Sequence, residues 1–305
     1  MSLKFAAFIM TYERPDEVGI MLHKLKDQTY PPQKILVVDN SSTSRTADVV
    51  NSLAYPNVDY FRVGYNSGPA GAAHLGLKRL TAEGYEWIYW GDDDDPPENR
   101  NDFEEIFKVI ERASHTYDTI GIVAKGAGKF NRYTARTSSY MNRELQKGIM
   151  ETDLVPGNNV LLVNSDVVKK GVLPTSQLFF GFEELDFCLQ VRNASYKILF
   201  DADAFLQRRI EKGKVDPDYR WRGRKDGEFD RLWRQYYSSR NILKVLYKNG
   251  YLVALVYNIV KTFLKSLYGF RYGWRYGSRN FKIQLLAAFH FFTGKSGKVN
   301  LDWLA

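Results

Sequence analysis

Four consecutive carboxylates, Asp92, Asp93, Asp94 and Asp95, follow the apolar run Trp87-Ile88-Tyr89-Trp90 and Gly91. Charges this close repel one another unless a cation or a helix terminus offsets them. Hard divalent ions suit carboxylate oxygens, so Mg²⁺ or Mn²⁺ is the expected partner, with coordination positions left for substrate phosphates. In an extended chain Asp92 and Asp94 share one edge and can offer two oxygens to one ion. The plain alternative is a solvated acidic turn. A second acidic group, Gly181-Phe182-Glu183-Glu184-Leu185-Asp186, stands where a helix begins. The helix dipole favours carboxylates there, which would explain them without any chemistry. Near a metal crevice, one of them is instead a candidate general base, with Glu183 as the like-charged neighbour that raises its pKa.

These groups need a scaffold to converge. Phe5–Met10 is a continuous apolar run, as in a strand covered on both faces. Pro15, Asp16 and Glu17 then open a helix carrying Val18, Met21, Leu22 and Leu25 at helical spacing. The unit repeats: strands are expected at 34–39, 58–63 and 86–90, helices at 46–53 and 70–80, and polar loops between them. Alternation of this kind specifies an α/β fold with a mostly parallel sheet flanked by helices, and ligands bind at the carboxyl ends of such strands. Thr11, Tyr12, Arg14, Asp39, Asn40, Asn66 and the aspartates should therefore share one crevice. Further on, the pattern gives a helix opening at Glu98 or Asn101 and running to Arg112, a strand at 118–124, a mobile Gly-rich loop at 125–148 and a strand at 160–163. A helix at 183–193 and a strand at 196–200 follow. No Gly-rich dinucleotide fingerprint or P-loop lysine is present.

The net charge of +8 is unevenly distributed. From Phe205 onward there are 21 Lys and Arg against 7 Asp and Glu, so the first 204 residues are acidic overall. The basic part is also aromatic, a combination suited to an anionic membrane surface or to nucleic acid. No recognised nucleic-acid motif appears, so nucleic acid is not expected as a partner. The longest apolar stretch, 251–260, falls well short of a membrane span. Met1–Phe5 shows no targeting leader, and the expected location is the cytoplasm, peripheral on the inner face of the cell membrane. The single cysteine, Cys188, reads as core, and the four histidines lack metal-ligand spacing.

The ordered motifs Phe8-Ile9-Met10-Thr11-Tyr12-Glu13-Arg14-Pro15, Val37-Val38-Asp39-Asn40-Ser41-Ser42, Asn66-Ser67-Gly68-Pro69-Ala70-Gly71, Trp90-Gly91-Asp92-Asp93-Asp94-Asp95, Phe182-Glu183-Glu184-Leu185-Asp186 and Tyr236-Tyr237-Ser238-Ser239-Arg240-Asn241 span roughly the first 240 residues. Together they resemble the family 2 inverting glycosyltransferases of the A-type, Rossmann-like nucleotide-sugar fold, especially bacterial rhamnosyl- and galactofuranosyltransferases. The resemblance implies an enzyme that moves a hexosyl or deoxyhexosyl group, galactofuranose or rhamnose, from a UDP- or dTDP-sugar to a glycan acceptor in cell-surface polysaccharide synthesis. The basic C-terminus suggests that this acceptor is lipid-linked. By the same resemblance Thr11, Tyr12, Arg14, Asp39, Asn66 and Gly68 line the nucleotide pocket, Asp92 and Asp93 face ribose and metal, and Asp94 is the principal metal ligand.

Glu184 takes the position of the base that deprotonates the acceptor hydroxyl, with Glu183 and Asp186 beside it. Two departures stand out. Gln207 sits where relatives often place a metal-site histidine, which makes Arg208 or Arg209 a candidate diphosphate contact, and Glu184 replaces a common aspartate. Arg240-Asn241 is a candidate phosphate contact or an interhelical ion pair. Residues 1–205 are expected to form the nucleotide-sugar-binding and catalytic domain, and residues 206–305 a helical region that contacts acceptor or membrane. The rival readings are a non-catalytic nucleotide-sugar binder, a nucleotidyltransferase and a basic nucleic-acid-binding protein.

Overall fold

A computed structural model describes residues 3–145, 147–157, 160–213 and 231–301. The chain opens with β1 (Phe5–Thr11), α1 (Pro15–Lys26), β2 (Lys34–Asp39), α2 (Arg45–Leu53), β3 (Val58–Arg62), α3 (Gly68–Ala82) and β4 (Trp87–Asp92). These match the expected alternation to within a few residues at each end. Then come α4 (Asp102–Ser114), β5 (Ile120–Ala124), β6 (Lys129–Phe130), β7 (Thr137–Ser138), β8 (Ile149–Glu151), β9 (Leu161–Asn164) and α5 (Ser165–Lys169). The chain continues through α6 (Glu183–Asn193), β10 (Lys197–Asp201), α7 (Ala202–Glu211), α8 (Leu232–Lys248), α9 (Leu252–Tyr268) and α10 (Trp274–Phe292).

Eight strands form one sheet in the order β3-β2-β1-β4-β9-β5-β10-β8. The sheet is mostly parallel: β9 runs antiparallel between β4 and β5, and β8 pairs antiparallel with β10 at the edge. Period-2 alternation along β1 separates the core into two layers. Phe5, Ala7 and Ile9 pack with α1 and α4 on one side, while Ala6, Phe8 and Met10 face α3 and α6 on the other. Both faces being covered explains why β1 reads as an unbroken apolar run. Cys188 is buried in the second layer, as expected.

The segment at 125–148 differs from the expected loop. It carries the β6–β7 hairpin and a short 3-10 helix at Asn142–Glu144, tied down by Lys129 against Glu144. Residue 146 of that segment lies outside the described residues. The helix expected from Glu98 or Asn101 begins at Asp102, after Asn101.

Candidate active site

The carboxyl ends of β1, β2 and β4 meet at the foot of a cleft of about 1220 Å³. Thr11, Tyr12, Arg14, Asn66, Gly68, Asp92, Asp93, Asp94 and Glu183 all line it, so most of the expected residues come together. The ladder between β1 and β4 runs on through the backbone N–H of Asp93, which donates to Met10 O at 3.2 Å. That contact delivers the acidic run to the end of β1. There Thr11 Oγ1 donates to Asp93 Oδ2 at 2.7 Å, and Arg14 Nη1 donates to Asp93 Oδ1 at 3.2 Å while also pairing with Asp94.

Asn40 fixes the opposite lip. Its side-chain amide donates to Gly68 O at 3.3 Å, and its Oδ1 accepts from the Ser67 backbone and hydroxyl at 3.0 and 2.7 Å. Gly68 has φ +71°, and a Cβ there would stand 2.0 Å from Phe179 O, so only glycine lets the 176–182 segment close against the lip. Glu13, inside the first motif but given no role from sequence, also adopts positive φ. Its carboxylate accepts from the Ser42 backbone and from the Ser42 and Thr43 hydroxyls, which hold it down at about pKa 2 and clamp the loops after β1 and β2 together.

Crowding and burial dominate the electrostatics. Burial first, then the Glu184 charge and the other aspartates, pushes Asp92 up to about 8. Asp93 and Asp95 are also raised, chiefly by burial. Glu183 lies far above the usual carboxylate range because it is buried beside Glu184 and Asp92, and its Oε2 is enclosed with no hydrogen-bond partner among the described residues. Glu184 is raised by burial and lies just behind the lining, with Oε1 turned toward Gly157. Such mutual repulsion is what a bound cation would relieve. Among the described residues, however, no three His, Cys, Asp or Glu side chains form a ready-made ion cage.

Besides Glu184, two expected residues do not line the cleft. Asp39 is fully buried, accepting from the Ser41 backbone at 2.8 Å and from the Tyr60 hydroxyl at 2.7 Å. Asp186 is likewise enclosed, where it accepts from the Thr175 backbone and from Gln190 at 3.1 and 2.7 Å. Both carboxylates hold loops. Gln207, Arg208 and Arg209 lie on α7, away from the aspartates: Gln207 donates to Glu211, Arg208 to Lys125 O, and Arg209 to Asn142 and Ser139. The strand before them ends in the cap Asp201, which starts α7 at once and turns these side chains toward α4 and the 125–145 segment.

Arg240 makes neither of the contacts expected of it. Its guanidinium is fully buried and donates to Leu178 O, Gly297 O and the Tyr236 hydroxyl, while Asn241 donates to Leu178 O and Phe180 O. The pair shapes the segment that closes on Gly68.

The far wall was not legible from spacing. Phe179 and Phe180 join Trp233, Arg234 and Tyr237 of α8, Arg275 and Arg279 of α10, and Lys298. Phe180 packs on Trp233 with ring centroids 4.8 Å apart, and the Arg234 guanidinium lies over both rings. An acidic foot thus faces a basic, aromatic wall. The only signal for that wall was the C-terminal excess of basic and aromatic residues.

A mostly parallel sheet with an acidic run at the carboxyl end of β4, facing a helical C-terminal wall, defines an α/β protein with its cleft at the strand ends. Residues 6–166, more than half of the chain, match the glycosyl transferase family 2 model, and the chain belongs to that family. Galactofuranosyltransferase GlfT1 of Mycolicibacterium smegmatis is 26% identical over 111 residues, 36% of this chain and 35% of that protein. GlfT1 of Mycobacterium tuberculosis is 33% identical over 90 residues, 29% of each chain. The match thus spans about a third of those relatives' length. The fold is shared with the mannosyltransferase PcManGT from Pyrobaculum calidifontis, solved in complex with GDP-Man and Mn²⁺, at a TM-score of 0.51 and 12% identity over 96% of this chain and 88% of that one. It is shared equally with residues 1–349 of S. aureus TarS, at a TM-score of 0.50 and 13% identity over 96% and 92%.

Proposed function

We propose that the protein is an inverting glycosyltransferase that moves a sugar from a UDP- or dTDP-sugar to a hydroxyl of a glycan acceptor, with Mg²⁺ or Mn²⁺ as cofactor. The observation that carries this reading is the acidic run at the end of β4, beside Glu183 and set in one cleft with Arg234, Arg275 and Arg279. The family and the GlfT1 relatives favour galactofuranose as the sugar, with rhamnose second.

The donor set suits a hard ion: the carboxylates of Asp92 and Asp93 are crowded and raised in pKa chiefly by burial, and the more exposed Asp94 carboxylate opens onto the same cleft. Asp94 is the principal ligand and Asp92 the second. With so few protein ligands, the remaining positions fall to diphosphate and water, the usual habit of Mg²⁺. Bound there, the ion supplies positive charge to the leaving diphosphate. Arg14 now pairs with Asp94 and would hand that carboxylate over on metal binding, keeping Asp93 as its partner. Thr11, Tyr12, Asn66, Gly68 and Asp93 border the nucleotide, and Asp39 supports them from behind by holding the loop at Ser41.

Glu184 takes the base role: it lies close enough to Asp92 for its charge to raise that carboxylate, and its own raised pKa favours taking a proton. The acceptor oxygen, losing its proton to Glu184, displaces the nucleoside diphosphate in one step and inverts the anomeric carbon. The partnerless Oε2 of Glu183 supports a second reading in which Glu183 is the base and Glu184 its charged neighbour. Asp186 holds the helix start rather than touching substrate.

Residues 1–205 carry the acidic foot and the base, and 206–305 add the basic wall that meets the diphosphate and the side that meets the acceptor, a lipid-linked glycan at the cytoplasmic leaflet. Thermal-shift measurements with UDP-, dTDP- and GDP-sugars, with and without Mn²⁺, test the donor claim, since a ligand bound to the native state raises Tm by mass action. A metal-dependent rise with a UDP- or dTDP-sugar is expected. No rise with any member of the panel would overturn it.

A further inference from the structure

Helix α9 is built inside out. The face it turns to the protein carries Ala254, Asn258, Thr262 and Ser266, all buried, with Leu255 and the partly buried Ile259 as the larger apolar side chains. Asn258 spends its amide on Thr134 O and Ala254 O, and Asn280 of α10 donates to Lys265 O and Ser266 O. The polar, small side is thus satisfied inside. The outward arc carries Val253, Val256, Val260, Phe263, Leu264 and Leu267, with Val256 62% and Leu264 59% exposed. Helical spacing sets these on one side, with exposed Lys261 beside the arc. A helix made for water places such residues the other way round, and an exposed apolar strip of this length marks a docking surface.

We propose that this arc docks on an anionic lipid surface, α9 lying in the membrane plane with its apolar side at the acyl boundary and the basic charge of the C-terminal helices drawn to lipid phosphates. Charge selects this occupant. From Arg231 to Leu301 there are thirteen Lys and Arg and no Asp or Glu. A second copy of the chain would bring like charge against like charge, whereas an anionic leaflet neutralises it. No helix among the described residues is long and apolar enough to cross a membrane, so the contact is monotopic. The inference rests on the lipid-linked acceptor proposed above for its purpose: docking α9 would hold the cleft, whose wall comes from α8 and α10, beside a membrane-anchored substrate.

Flotation of the whole protein with vesicles of mixed phosphatidylglycerol and phosphatidylcholine, and with phosphatidylcholine alone, tests it. Wild type should float with the anionic vesicles. Val256→Asp with Leu264→Asp should lower the bound fraction about tenfold or more at unchanged Tm, because both residues already face water. Lys261→Glu should weaken the preference for phosphatidylglycerol, and raised salt should weaken it further. Wild type that stays at the bottom while a nucleotide sugar still raises its Tm would overturn docking and leave the transferase reading standing. Wild type that floats while no nucleotide sugar binds would support docking and remove that reading. Flotation unaffected by the aspartates, or a wild-type dimer in light scattering that they split, would overturn the proposal.

Discussion

The Thr11 hydroxyl, at the last residue of the first strand, donates to the buried carboxylate of Asp93 at 2.7 Å across 82 residues of chain. This bond fixes where the acidic run sits relative to Tyr12 and Arg14. Replacing Thr11 with valine keeps the volume and removes the donor. A buried carboxylate short of one partner costs about 1–3 kcal/mol, so Thr11→Val should lower Tm by a few degrees and weaken nucleotide-sugar binding. Calorimetry and titration check both. An unchanged affinity would mean that Asp93 positions nothing.

Asp92 gives a pH dependence. Its folded pKa is raised from 3.8 to about 8, so between those values the native state holds a proton that the unfolded chain has released. Stability from this group is therefore present at low pH and lost as pH rises toward about 8. In chelator, the wild type should lose Tm over this window relative to Asp92→Asn. Added Mn²⁺ should recover more of it at the upper end, because protons no longer compete there. Parallel pH curves for the two proteins would contradict the assignment.

Arg240 predicts a purely structural effect. Its buried guanidinium satisfies the carbonyls of Leu178 and Gly297, so Arg240→Met leaves several polar groups short of partners at about 1–3 kcal/mol each. Tm should fall by several degrees. Nucleotide affinity, measured well below that Tm, should change little, in contrast to what a phosphate contact would give.

Local pattern carried the sequence reading as far as local pattern reaches. The strand, loop and helix alternation up to β4 was legible because each element declares itself within a dozen residues, and Asp92–Asp94 could be set at a strand end for the same reason. Asp39 and Asp186 looked like site residues for the same local cause, yet Tyr60 and Gln190 capture their carboxylates, and only the fold brings those partners near. The antiparallel insertion of β9 between β4 and β5 was hidden because direction leaves no mark on a four-residue apolar strand. The C-terminal aromatics divide: Tyr236, Tyr237 and Tyr276 are core, while Phe263, Trp274 and Phe289 face outward. Composition foresaw an aromatic, basic region and could not sort its faces.

The wall that sequence spacing missed carries a prediction of its own. Arg279→Ala, on α10 in the cleft lining, removes a cation opposite the acidic foot. A charge-assisted bond to a diphosphate is worth about 1.5–3 kcal/mol, or roughly ten- to a hundredfold in Kd. Titration of the nucleoside diphosphate at two salt concentrations should show weaker binding with a shallower salt dependence than wild type. Wild-type affinity in the variant would assign this wall to the acceptor instead.

The central claim is a metal site at Asp94 served by a base at Glu184. The most direct measurement is the rate of nucleoside diphosphate release from the stabilising nucleotide sugar, in Mn²⁺ and with a glycan acceptor. It should be made for wild type, Asp94→Ala, Glu184→Gln and Glu183→Gln, each shown to be folded. Near-complete loss is expected in Asp94→Ala and a fall of about 10²–10⁴-fold in Glu184→Gln, the range for a removed general base. Wild-type turnover by Asp94→Ala, or by Glu184→Gln while Glu183→Gln is inactive, would contradict it.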